Sequence, residues 1–394
     1  MASVAETART PYNLDRSFCS YAQKKKGILM EQQEMYWPTS AWRTSDPRTF
    51  GLTPEDFEPL HRYALEDERT HSLLIIGSGS ILFEAYYHGW SQNHYHNVNS
   101  VTKSVTSALV GIALRDKKIG TLHQSIYSFF PEYASLGEQE NRKAILLHHL
   151  LSLTSGFQFS GQLSVFLEKT ASLEQMLNRP VAHPPGQVFS YDDIDIHLVG
   201  LILARVTGMP LAQFAQISLF QPLGIWQDEH GQAAPWKHGT AIADEPHPYG
   251  LSPAQDSLLW SVDRQGNFIG PFGLQLTTRE LAKLGYLYLH QGVWDGQQIL
   301  PAAYVQASLH GYIPLPTGGD YGYCWRLIRY KEQNSFWALG FGGQLLACFP
   351  DLDLIFVLTA RPDEDKPPAH RQFLQGPFGS LFEKLLASKG EKNI

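Results

Sequence analysis

The chain predicts an α+β fold: an antiparallel sheet assembled from its two ends, flanked by helices, with a mainly helical subdomain inserted between them. Three observations carry this reading. Two alternating apolar runs, 72–77 and 81–87, flank the turn Gly77-Ser78-Gly79-Ser80 near the start. Four further runs, 323–330, 336–341, 344–349 and 354–359, lie near the end, the last two joined by Pro350-Asp351-Leu352-Asp353. Between them, roughly 122–275, helical periodicity and loop-forming residues dominate and few strands can be read.

In chain order, residues 1–36 read as a polar N-terminal leader. Thr53 is a good N-cap and Pro54 suits the first position of a short helix. After the first hairpin, an amphipathic helix is expected over 100–119, with Val101, Val105, Ala108, Leu109, Ile112 and Ala113 on one face. Lys117 and Lys118 complement its dipole and Gly120 supplies a stop. A second strong helix spans 194–207 and is closed by Gly208. The stretch 224–272 reads as a long loop region containing Trp226, Trp236, Trp260 and Phe272, either anchors to the body or walls of a pocket. A terminal amphipathic helix follows over 374–386. The expected organisation is a single domain over 37–390, its α/β part at about 37–120 and 275–390 and its helical and loop part at about 121–274.

Composition narrows the function. At 394 residues with a net charge of -7 and 31 scattered lysines and arginines, the chain can bury a large core and offers no basic stripe for nucleic acid. No apolar run suggests a membrane span or a signal peptide, so a soluble cytoplasmic protein is expected. Three widely spaced cysteines, Cys19, Cys324 and Cys348, suggest reduced thiols. His94 and His96, and His148 and His149, lack the helical spacing and acidic partners of a metal site, so no metal is expected.

Three motifs carry chemistry. In Ser100-Val101-Thr102-Lys103 a helix would bring hydroxyl and amine onto one face. A serine hydroxyl needs a base, and Lys103 serves if burial or neighbours keep it neutral. Tyr191, in Phe189-Ser190-Tyr191-Asp192-Asp193, lies just before the 194–207 helix. It could relay a proton if an ammonium stabilised its phenolate, or it could staple the helix start while Asp192, Asp193 and Asp195 cap it. Leu339-Gly340-Phe341-Gly342-Gly343-Gln344 sits at a strand boundary, where glycines admit a ligand against the backbone or mark a tight turn.

In this order the motifs resemble the signatures of the serine β-lactamase and penicillin-binding protein superfamily, and most closely its class C-like branch of esterases, D-amino peptidases and 6-aminohexanoate-dimer hydrolases. His148-His149-Leu150-Leu151-Ser152-Leu153-Thr154-Ser155-Gly156, Pro185-Gly186-Gln187-Val188-Phe189-Ser190-Tyr191, the segment from Gly273-Leu274 through Thr278-Arg279-Glu280-Leu281-Ala282-Lys283, and Tyr321-Gly322-Tyr323 are similar to further elements of that branch. The resemblance implies a β-lactamase-like fold with Ser100 as acyl-forming nucleophile, Lys103 as its base and Tyr191 as proton relay. It implies an oxyanion hole from the backbone N–H groups of Ser100 and Gln344, with no metal or organic cofactor.

Two departures shape the expected substrate. Asp193 stands where many relatives have Asn, and an ionised carboxylate accepts but does not donate; it would favour a substrate N–H or ammonium, or serve as a helix cap. Phe341, Gly342 and Gly343 stand where penicillin-recognising relatives begin with Lys, so a cation for a substrate carboxylate is absent there. A small ester or amide, neutral or amine-bearing, is therefore expected over an anionic β-lactam. The alternatives are an amidase of the 6-aminohexanoate-oligomer or D-amino peptidase type, a weak β-lactamase, and a non-catalytic ligand-binding member of the fold. Oligomeric state has no signature in the sequence.

Overall fold

Every residue of β2 (Thr70–Gly77) is buried, and so is every residue of β8 (Gln344–Phe349) and β9 (Leu354–Ala360), which places these strands in the middle of a sheet covered on both faces. A computed structural model describes residues 36–138, 142–159, 172–227, 237–241, 259–363, 365 and 368–391. The 1–36 leader, apart from Tyr36, lies outside the described residues, as do Cys19, Trp236 and much of the 224–272 loop region.

The remaining strands are β1 (Arg43–Thr44), β3 (Ser80–Tyr86), β4 (Ile313–Pro314), β5 (Asp320–Tyr321), β6 (Arg326–Tyr330) and β7 (Gln333–Gly340). They form a nine-stranded sheet in the order β1-β3-β2-β9-β8-β7-β6-β5-β4. Each pairing is antiparallel except the parallel edge contact of β1 with β3. The N-terminal hairpin thus joins the C-terminal strands through β2 and β9, where Phe356 lies opposite Ile75 and Val357 opposite Leu74. Its turn runs through Ser78 and Gly79, both with positive φ, as a tight two-residue hairpin requires.

Strand alternation divides the core. Leu74, Ile76, Leu346, Cys348, Ile355 and Val357 face the larger cluster, which contains helices α2 (Thr102–Arg115), α4 (Asp193–Thr207) and α5 (Thr278–Leu289). Leu73, Ile75, Leu345, Ala347, Phe356 and Leu358 face a second cluster beneath α1 (Glu58–Glu66), α6 (Ala369–Gln375) and α7 (Pro377–Glu391). The terminal helix expected over 374–386 is therefore two helices, separated at Gly376, whose successor Pro377 has no N–H to continue the first.

Two expectations for the 100–119 helix are corrected. The helix stops at Arg115 rather than running to Gly120, because Lys117 takes a left-handed φ of 56°. Lys118 N–H then bonds to Ala113 O at 2.8 Å and Lys117 N–H to Leu114 O at 3.1 Å. This is the Schellman pattern without its usual glycine. Nor is the helix amphipathic in its surroundings: all twelve residues from Thr102 to Ala113 are buried. Its polar side chains are satisfied by carbonyls, Ser104 Oγ donating to Cys324 O at 2.7 Å and Thr106 Oγ1 to Gly270 O at 2.7 Å. These bonds pin α2 between distant loops, and with it the two residues that open it. The 194–207 helix runs from Asp193 to Thr207 with Gly208 as its left-handed cap.

The outer core depends on large rings. Phe356 stacks on Phe373 at 5.3 Å and on Phe378 at 4.3 Å, so Phe356→Ala is expected to lower unfolding free energy by about 3–5 kcal/mol in chemical denaturation.

Candidate active site

The turn that presents Ser100 is strained at the residue before it. Asn99, in the short 3-10 turn Asn99–Val101, has φ 48°, a left-handed value that Asn tolerates better than most residues. Its N–H donates to Asn97 Oδ1 at 2.9 Å, and its Nδ2 donates to Phe341 O at 2.9 Å. Thr102 Oγ1 donates to Asn99 O at 2.6 Å and closes the start of α2. Ser100 remains partly exposed while Asn99 and Val101 are buried. Sequence reasoning did not single out Asn99; its position directly before the serine was the available signal.

Lys103, 1% exposed, donates from Nζ to Ser100 Oγ at 2.8 Å and to Pro271 O at 3.2 Å, and pairs with Asp193 Oδ1 at 2.7 Å. An ammonium has three N–H bonds; here hydrogen bonds run to Ser100 Oγ and Pro271 O, and the Asp193 carboxylate lies beside the charge. Its Nζ also lies 4.7 Å from the centroid of the Tyr191 ring. Burial alone would make this amine neutral, the condition for it to act as base. The Asp193 carboxylate and the Tyr191 side chain outweigh burial and raise its pKa above the ordinary lysine value. These neighbours favour the ammonium form of Lys103, which can donate to Ser100 Oγ but cannot accept its proton.

The three aspartates after Tyr191 divide their work. Asp192 is the N-cap of α4, its Oδ1 accepting from Ile194 N–H at 2.9 Å, while its Oδ2 pairs with Arg179 at 2.5 Å. Asp195 Oδ1 takes the same guanidinium at 2.9 Å. Asp193, at the first helical position, is neither the cap nor bound to Arg179, and turns to Lys103. Arg179 also lies 4.3 Å over the Phe157 ring, so a buried cation and ring lie against the capped helix start. Arg179 was not anticipated, since nothing local in the sequence ties residue 179 to this turn.

A family model described as Beta-lactamase matches residues 64–375. The chain belongs to the β-lactamase family. Among solved structures, a candidate 6-aminohexanoate-dimer hydrolase from Bacillus anthracis aligns with a TM-score of 0.65 and 17% identity, over 95% of this chain and 94% of that one. A family VIII carboxylesterase aligns with a TM-score of 0.62 and 15% identity, over 88% of this chain and 98% of that one. At such identities the likeness is one of fold. A candidate D-alanyl-D-alanine carboxypeptidase from Salmonella paratyphi B is 28% identical over 94 residues, which span 23% of this chain and 22% of that protein. The β-lactamase family comprises serine hydrolases of this fold.

Within this β-lactamase-family chain the glycine-rich segment lies beside the Ser100 turn. A Cβ on Gly340 would stand 2.4 Å from Val98 O, so a side chain there would push the turn away. Gly342 has φ 83° and backs onto Pro362; Gly343 has φ 107°. Phe341 is 45% exposed beside them. Gln344 pairs with Gly340 at the end of the β7–β8 ladder, and its side-chain amide donates to Ala360 O. The cation missing from this segment has a counterpart on the neighbouring strand, where Arg326 lies 6.0 Å from the Tyr191 ring centroid. A cation from another segment was an open possibility in the sequence, and nothing local marked Arg326, which strand pairing brings to this place.

The aromatic residues of the long loop region separate. Trp226 and Trp260 are fully buried anchors, Trp260 Nε1 donating to Ile269 O at 2.8 Å. Phe272 is half-buried and follows Pro271, whose carbonyl meets Lys103. His96 stacks on Trp90 at 4.5 Å, and burial pushes its pKa well below the usual imidazole value. Among the described residues no cluster of His, Cys, Asp and Glu is arranged to hold a metal ion.

Replacing Asn99 with Ala removes the bond to Phe341 and leaves a β-carbon in the left-handed region, an expected loss of about 1–3 kcal/mol by denaturant titration, with Asn99→Gly losing less. A pH dependence follows from Asp195. Burial raises its carboxyl to about 7, opposed by Arg179, which Asp192 shares. Between the ordinary carboxylate range and about pH 7 the native state holds this proton more tightly than the unfolded chain, so this group's contribution to stability falls as pH rises through that window. Thermal melts from pH 5 to 8 should show that decline, and Asp195→Asn should flatten it.

Proposed function

We propose that the protein is a serine hydrolase that cleaves small carboxylic esters or amides through an acyl-enzyme on Ser100. The observation that carries this reading is the Ser100 hydroxyl, partly exposed and 2.8 Å from the buried Lys103 ammonium, in a chain of the β-lactamase family. With Lys103 charged, the side chain left to take the serine proton is Tyr191. In the proposed cycle Tyr191 relays that proton: as Oγ attacks the substrate carbonyl, the phenol passes its own proton to the ester oxygen or amide nitrogen that will leave, and its oxygen takes up the serine proton. The Lys103 ammonium, 4.7 Å from the tyrosine ring, stabilises the negative charge that develops on the phenol oxygen. The backbone N–H groups of Ser100 and Gln344 would hold the oxyanion, and Asn99 and Gly340 would keep the two segments in register. The intermediate collapses as the alcohol or amine departs with the proton that Tyr191 gave it, and Tyr191 is left with the proton from the serine. Water, activated by the same tyrosine, then releases the acid. Every step is proton transfer and acyl transfer by the chain's own groups.

Asp193 is occupied by Lys103, which argues against its engaging an amine-bearing substrate. Arg326 beside Tyr191 instead supports a second reading, an amide hydrolase whose substrate carries a free carboxylate. The B. anthracis likeness is compatible with that chemistry without deciding it. A cytoplasmic location is part of the proposal; among the described residues no single helix is long and apolar enough to cross a membrane.

The test is turnover of short p-nitrophenyl esters, a linear 6-aminohexanoate dimer and a chromogenic cephalosporin. At least one ester or amide should be cleaved, with kcat/KM reduced by about 10,000-fold or more in Ser100→Ala. Preference for the dimer, lost in Arg326→Ala, would select the second reading. Cleavage that survives Ser100→Ala would refute the proposal.

A further inference from the structure

The protein contains two deeply buried lysines, and their surroundings differ in one respect. Lys283 Nζ donates to two carbonyls, Thr39 O at 3.0 Å and Gly224 O at 2.6 Å. Burial pushes its pKa down to about 8, with Glu280 only partly opposing the effect. Lys103 is at least as buried and also donates to a carbonyl and a hydroxyl, but a carboxylate oxygen lies 2.7 Å from its Nζ. That carboxylate stands at the first position of a fifteen-residue helix, where the backbone N–H groups favour a negative charge.

Among the described residues, the neighbouring carboxylates on the same turn are engaged elsewhere. Asp192 and Asp195 are committed to Arg179. The Cys324 thiol is pushed up to about 12 by burial, and the Tyr321 hydroxyl is raised by burial too, so both are neutral in ordinary buffers. The Tyr191 ring lies 4.7 Å from Nζ and supports the same ammonium, and Arg326, 6.0 Å from that ring, is itself a cation. Among the described residues, Asp193 is thus the carboxylate in contact with Lys103.

We propose that Asp193 is a positioning residue that holds Lys103 as an ammonium aimed at Ser100, so that residue 193 decides which side chain receives the serine proton: Tyr191 when it is Asp, Lys103 when it is Asn. The inference deepens the hydrolase reading and rests on it for its catalytic consequence, while the charge state of Lys103 can be read without turnover. With Asp193 present, the proton leaves Ser100 Oγ for the tyrosine oxygen as the Oγ–carbonyl bond forms, the tyrosine's own proton passes to the leaving group, and Lys103 keeps all three protons throughout. With Asn at 193, the buried amine loses its counter-charge, reaches the neutral state that Lys283 approaches, and can accept the proton itself.

The experiment uses the full chain labelled with 13C-lysine, following the Lys103 Cε resonance from pH 6 to 10.5, assigned by its loss in Lys103→Met. In the wild type the resonance should stay at its ammonium position throughout. In Asp193→Asn it should titrate at least about 2 pH units below the ordinary lysine value, as buried amines without a partner do. Retained kcat/KM in that variant, with its pH profile moved with the lysine and its dependence on Tyr191 weakened, would support the transfer of the base role. A wild-type Lys103 already neutral at pH 8 overturns the proposal without any variant, so misfolding of Asp193→Asn cannot shield it. Identical titrations in the two proteins overturn it as well. An ammonium that follows residue 193 in a protein without Ser100-dependent turnover would instead refute the hydrolase reading and leave the charge assignment standing.

Discussion

The buried charge of Lys103 is the constraint on which the rest of the site depends. Taking an ammonium out of water costs several kcal/mol unless its protons find good acceptors and a counter-charge lies close. Four parts of the chain meet that demand: the serine one turn earlier, the carbonyl of Pro271, the carboxylate of Asp193 and the ring of Tyr191. None can move far without leaving the charge exposed in a dry interior. The electrostatic requirement therefore helps register the helical subdomain, which carries Tyr191 and Asp193, against the helix that carries Ser100 and Lys103.

The scaffold supplies the rigidity this needs. Helix α2 is sealed in the core and bonded through its hydroxyls to Cys324 O and Gly270 O, so its first turn has little freedom. Helix α4 packs beside it, capped by Asp192 and held by Arg179. Behind them the sheet joins the two ends of the chain through β2 and β9, with Leu and Ile side chains alternating between the two faces. The strain at Asn99 is stored where the helix, the glycine segment and the nucleophile meet, a place where the surrounding bonds can hold it.

The charged lysine also changes how the site is compared with its family. Sequence similarity places this chain among serine hydrolases of the β-lactamase fold, and the fold likeness extends to an esterase and a candidate amide hydrolase alike. Neither likeness says which proton acceptor operates here. In the proposed mechanism that depends on whether residue 193 places a carboxylate beside Nζ. A family signature that reads Ser, Lys and Tyr can thus cover sites whose resting charges differ.

The sequence by itself determined the elements with local signals: the hairpin with its Ser78-Gly79 turn, the helix closed by Gly208, the strands 344–349 and 354–359, and the occurrence of Ser100, Lys103 and Tyr191 in one recognisable set of motifs. It erred where the deciding contact was distant. Gly120 looked like a helix stop, but Lys117 closes the helix because the Schellman bonds to Ala113 and Leu114 outweigh the absence of a glycine. The apolar stripe on 100–119 suggested a wet opposite face, whereas carbonyls from residues 270 and 324 make that face dry. Arg179, Pro271 and Arg326 carried no sign of proximity to Tyr191 or Lys103, since they arrive from segments far away in the chain or on other elements. Only the tertiary structure decided that Asp193 faces Lys103 while Asp192 and Asp195 face Arg179. Neighbouring aspartates are chemically alike in a sequence, and the charge each one meets depends on the direction its position on the helix gives it.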